Sequence, residues 1–75
     1  MTTSMVCEIW HTPSGNALSE HATRAAALDA IREVLEMDGE NAVCDLTLFQ
    51  VSARGNTKLV AAGADLLRLI EAHVT

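Results

Sequence analysis

Hydrophobic and polar positions change period along this chain, and the change occurs twice. Met5-Val6-Cys7-Glu8-Ile9-Trp10-His11 mixes β-branched and aromatic residues in partial alternation, which predicts a strand. Pro13-Ser14-Gly15-Asn16 predicts a turn, because Pro presets φ while Gly and Asn accept positive φ. Ala17 to His21 reads as a short return strand whose weak β propensity places it at a sheet edge. From Arg24 to Met37 the period becomes helical: Ala27, Leu28, Ile31, Val34 and Leu35 share one face, and Asp29, Arg32, Glu33 and Glu36 the other. Thr23 stands where an N-cap belongs and Gly39 where a helix ends. Met1 to Ser4 reads as a frayed start.

The second half follows the same order. Ala42 to Val51 is the most apolar stretch and predicts a central strand. Ala53-Arg54-Gly55-Asn56 predicts a second hairpin turn, and Thr57 to Ala61 the return strand. Gly63 ends it, and Ala64 to Val74 reads as a helix with Leu66, Leu67, Leu69, Ile70 and Val74 on a wide apolar arc. Ile9-Trp10 matches Leu48-Phe49, and Leu28 and Ile31 match Leu67 and Ile70, at a constant spacing of 39. Gly15-Asn16 matches Gly55-Asn56 at 40, with a one-residue gap. Such self-similarity suggests a pseudo-twofold fold with repeats at about 5–38 and 42–75, within a single domain spanning residues 1–75.

The expected class is α+β, ordered ββαββα: a four-stranded antiparallel sheet with two helices packed on one face. Crossovers through the helices put the first and third strands in the middle, giving the order 2-1-3-4. One sheet face is then left without a helix. Side chains alternate across a strand, and the sets holding Ile9 and Leu46/Leu48 are the more consistently apolar, so they face the helices. Trp10 and Phe49, the only aromatic residues in the chain, then face outward. The expected interaction face is Glu8, Trp10, Val43, Asp45, Thr47, Phe49 and Val51, with Val6, Val60 and Lys58 around it. Covering two such rings removes ~300–400 Å² from water, on the order of 8–10 kcal/mol before association costs.

Composition narrows the function classes. Seventy-five residues make a small domain with a marginal core. With 49% hydrophobic and 20% charged residues the chain is globular rather than disordered. Ten acidic against five basic residues give a net charge of −5, which opposes duplex nucleic acid or an anionic membrane as main partner. No apolar run approaches the ~20 residues a membrane span needs. No secretory leader is read at the start, so the chain is expected in the cytoplasm, with Cys7 and Cys44 reduced, buried and apolar in role.

Candidate chemistry is sparse. Cys7, His11, His21 and Cys44 are metal-ligand types, but Cys7 and His11 on one strand stand ~13 Å apart at ~3.3 Å per residue, too far for one tetrahedral ion. Neither a C-x-x-C nor a G-x-S-x-G pattern occurs, and turn chemistry accounts for Ser14 and Gly15. Glu33, Glu36, Asp38 and Glu40 read as a solvated face without the calcium-loop pattern. No catalytic residue, metal or cofactor is therefore predicted. The expected function is a non-enzymatic protein-interaction module using the open sheet face, most simply as a homodimer. The alternative is single-strand nucleic-acid binding on the same face. An aromatic pair on an open sheet can stack bases, although the basic stretch of the RNA recognition motif and its βαββαβ order are missing.

The positions Glu8-Ile9-Trp10, Gly15-Asn16, Thr23, Ala26-Ala27-Leu28 and Ile31, then Leu46-x-Leu48, Gly55, Ala61-x-Gly63 and Leu66, resemble small uncharacterised bacterial ββα domains over most of the chain. These are turn and packing positions, so the resemblance implies a fold and no activity. The Thr23-to-Ile31 stretch also looks like the helix entry of HicB-type antitoxins, which implies an antitoxin-like regulatory partner. The strands before it and the second ββα half follow a different pattern.

Overall fold

Two hairpins and their following helices build an α+β fold around one sheet, described in a computed structural model over residues 5–74, excluding the Val74 side chain. The Met1–Ser4 start lies outside the described residues, as does the part of Val74 in the apolar arc. Strand β1 (Val6–His11) and β2 (Asn16–His21) lead into helix α1 (Arg24–Asp38). A one-turn helix, α2 (Glu40–Cys44), precedes β3 (Leu46–Val51), β4 (Thr57–Ala62) and helix α3 (Ala64–Val74). The strands form one antiparallel sheet in the order β2-β1-β3-β4, as the pattern predicts.

Local chemistry sets the boundaries. The Thr23 hydroxyl accepts the Ala26 N–H at 3.0 Å and starts α1. Gly39, at φ 88°, stops it, and its N–H donates to the Leu35 carbonyl at 3.0 Å. That positive φ is open to glycine and strained for other residues. The chain then turns into α2 instead of entering the sheet, so the expected strand from Ala42 is corrected at its first four residues. Glu40, Asn41 and Ala42 have poor β propensity, and the acidic Glu40 sits in the first turn of α2, where the helix dipole favours it. The Asp45 N–H closes α2 by donating to the Ala42 carbonyl at 3.2 Å, and β3 begins only at Leu46.

The core lies between the sheet and the three helices. The sheet contributes Cys7, Ile9, Leu46, Leu48 and Ala61; α1 contributes Ala27, Leu28 and Ile31; α2 contributes Val43; α3 contributes Leu66 and Ile70. Several of these are equivalents 39 positions apart: Cys7 with Leu46, Ile9 with Leu48, Ala27 with Leu66, and Ile31 with Ile70. The ladder has the same symmetry. Ile9 pairs directly with Leu48, and the flanking pairs Cys7–Gln50 and His11–Leu46 interconvert under that spacing. This is the register a twofold axis through the Ile9–Leu48 pair would produce.

Each hairpin also carries one irregularity. The β1–β2 register shifts between Ile9 and Trp10, leaving Leu18 as the extra residue, and the β3–β4 register shifts between Leu48 and Phe49, leaving Val60. The two shifts fall at equivalent steps. Both are β-bulges, which put two residues opposite one. Residues beyond a bulge change face relative to simple alternation.

Candidate functional site: the open sheet face

The helices cover the sheet face that bears Ile9 and Leu48. A hydrogen bond from the Arg24 Nη2 of α1 to Gln50 Oε1, at 3.2 Å, marks the same side of β3. Alternation then puts Val6, Glu8 and Trp10 of β1 and Thr47, Phe49 and Val51 of β3 on the opposite face. Trp10 and Phe49 are absent from the core and half-buried. Their ring centroids lie 6.3 Å apart with the planes at 87°, an edge-to-face contact. Trp10 Nε1 donates to Glu8 Oε1 at 3.0 Å, which fixes the rotation of the indole.

The remaining expected residues divide. Thr47 is on this face yet buried, and its hydroxyl lies 2.6 Å from that of Thr12, so the one buried polar side chain among the described residues is hydrogen-bonded. Val51 is half-buried on the same face, paired with Val6. Val43 is corrected: it belongs to α2 and is fully buried in the core. Asp45 is corrected too, being the exposed residue that ends α2, with its carbonyl accepting the Thr12 N–H at 2.7 Å. Both corrections have one cause, since residues 40–44 are helical and lie outside the alternation of β3.

The bulge at Val60 produces another correction. Simple alternation puts Lys58 and Val60 on the open face. Instead Lys58 pairs with Gln50 on the helix side, and Leu59 pairs with Phe49 and Thr57 with Val51 on the open side. Leu59 is 57% exposed, an apolar neighbour of the aromatic pair that alternation missed. In the first hairpin Glu20 is the direct partner of Glu8. The ionisable groups the ladder places on this face, among the described residues, are thus two carboxylates in adjacent strands. A shallow cleft of about 270 Å³ opens on the face, lined by Glu8, Trp10, Phe49 and Thr57.

Other candidate groups have local explanations. His11 Nδ1 and Ser14 Oγ lie 2.8 Å apart at an exposed hairpin tip, where Ser14 also accepts the Asn16 N–H at 3.3 Å. These bonds tie the turn together. Cys7 is buried, as expected, whereas Cys44 is exposed on α2, correcting its assignment as a buried residue; both thiols are free. Burial pushes the Cys7 thiol pKa up, against a weaker opposing pull from Arg24. Among the described residues no group of three or more His, Cys, Asp or Glu is placed to hold a metal ion. None of their helices is long and apolar enough to cross a membrane.

No family model matches the chain, and no curated protein and no solved structure matches it.

Proposed function

We propose that this chain is a non-enzymatic protein-interaction module whose open sheet face pairs with a second copy of itself. The observation that carries the reading is the half-exposed Trp10–Phe49 pair on the two central strands, with Val6, Val51 and the exposed Leu59 on the same face. Aromatic residues concentrate at the cores of interfaces, and contiguous exposed apolar surface marks interaction sites.

Size favours a second copy. The domain measures 39 × 31 × 17 Å, one sheet thick and one helix layer thick. Its broad face can supply the roughly 800 Å² per partner of a standard interface. Two such faces stacked at ~10 Å would make a sandwich with helices outside. A domain of this length has a small core, and association adds to it. Single-stranded nucleic acid would use the same rings for stacking, but among the described residues the strands place no Lys or Arg on that face to neutralise phosphate.

Light scattering over a micromolar concentration series tests the reading. A mass that rises from one chain to two, with Trp10 emission shifting to the blue as it does, supports it. A strict monomer with concentration-independent emission removes it.

A further inference from the structure

We propose that the cleft bounded by Glu8, Trp10, Phe49 and Thr57 is a subsite for an organic cation, a guanidinium or alkylammonium group. The inference goes beyond the pairing of two copies, because it concerns the cleft of the free protomer, where a cation and a second copy would compete for the same two rings.

Two perpendicular rings in edge-to-face contact form a corner, and a group seated there meets the face of each ring. The 87° interplanar angle and 6.3 Å centroid separation give this geometry. A cation is attracted to a ring face within about 6 Å of its centroid, and Trp is the strongest such ring. Glu8 lies beside the corner and uses Oε1 to hold the indole N–H, at 3.0 Å. Its carboxylate forms no ion pair with a described residue. It also stands directly opposite Glu20 across β1–β2. Like charges so placed destabilise a sheet, and a bound cation offsets that repulsion. The cleft lining is otherwise apolar apart from the Thr57 hydroxyl, which suits methylated ammonium or the flat guanidinium face.

The cation can be a free small molecule or a side chain of a docked protein, and matched neutral probes isolate its charge in either case. Trp10, the sole tryptophan, reports on the cleft by fluorescence. The wild type and Glu8→Gln are titrated with choline and its neutral isostere 3,3-dimethylbutanol, and with N-acetyl-arginine amide and the citrulline analogue. Gln keeps an acceptor for the indole and removes the charge. Each charged probe is expected to bind about fivefold or more tighter than its neutral twin, and Glu8→Gln to erase the difference. Tighter binding by the arginine amide than by choline would point to a protein side chain; the reverse would point to a free ammonium ligand.

Equal responses to charged and neutral probes, or no saturable response to either charged probe at micromolar protein, overturn the proposal. Light scattering on the same samples keeps the two readings apart. A second copy would cover this cleft, so in a dimer the charged probes, unlike their neutral twins, should also lower the mass toward one chain. A monomer that discriminates charge retains the cation subsite and loses the dimer, whereas a dimer whose mass and emission are indifferent to charge does the opposite.

Discussion

Trp10 and Phe49 meet edge to face, 6.3 Å apart, and each is the other's equivalent at the 39-residue spacing that relates the two halves. The contact therefore joins the same position of both ββα units across the central β1–β3 ladder. Their predecessors Ile9 and Leu48 pair directly and point the other way, into the core. One dipeptide in each half thus provides an inner anchor and an outer aromatic. Core residues and uncovered aromatic residues thus fall on opposite faces of these two strands.

The split between core and open face predicts opposite outcomes for substitutions on the two sides of the sheet. Ile31→Ala, at a fully buried α1 position, should cost about 2–5 kcal/mol in urea unfolding. Leu59→Ser, at an exposed β4 position on the open face, should leave protomer stability within about 0.5 kcal/mol and weaken association. Equal losses of stability would mean that the open face is part of the core.

Val43 gives a sharper contrast. On the open face an aspartate there would be harmless. In α2, buried against the core, it would bring an unpaired charge out of water. Val43→Asp should cost at least ~4 kcal/mol, enough to remove most of the cooperative thermal transition of a domain this small. A retained transition would contradict the placement of α2.

These two positions also show what the residues reveal unaided. The class and the aromatic face follow from periodicity and side-chain alternation, the strand order from crossovers through the helices, and the Thr23 cap from its place just before the helical period. Val43 does not, since a five-residue helix is too short for its period to be read and its apolar residue adjoins a genuine strand. Leu59 escapes the pattern for a different reason. Nothing in Lys58-Leu59-Val60-Ala61 signals a bulge, and a bulge reverses the faces of every residue past it. Glu20 belongs to the site through the β1–β2 register, which sets it opposite Glu8 and which alternation along one strand does not fix.

The thiols should differ in reactivity. Cys44 is exposed and Cys7 buried, so a disulfide reagent should modify one thiol per chain at once in native protein and the second only on unfolding. Burial raises the Cys7 pKa in the folded state, so the folded chain holds this proton more tightly than the unfolded chain does. Stability is unaffected by this group below the unfolded thiol value and falls as pH rises from about 9.0. Urea midpoints at pH 7 to 10.5 measure it, and Cys7→Ala should flatten that alkaline decline.

The buried Thr47 hydroxyl is held by Thr12 at 2.6 Å, across the start of β3 and the end of β1. Thr47→Val keeps the shape and removes the bond, while exposed Thr12 can turn to water. The expected loss is about 0.5–1.5 kcal/mol by thermal or urea unfolding, with association intact.

The central claim is that the uncovered aromatic face joins two copies. It is tested most directly by the solution mass of the wild type beside Trp10→Glu, by light scattering at equal micromolar concentration, with far-UV circular dichroism on both. The account predicts a dimer for the wild type and a monomer with an unchanged spectrum for the variant. A wild-type monomer, or a variant that stays dimeric, would contradict it.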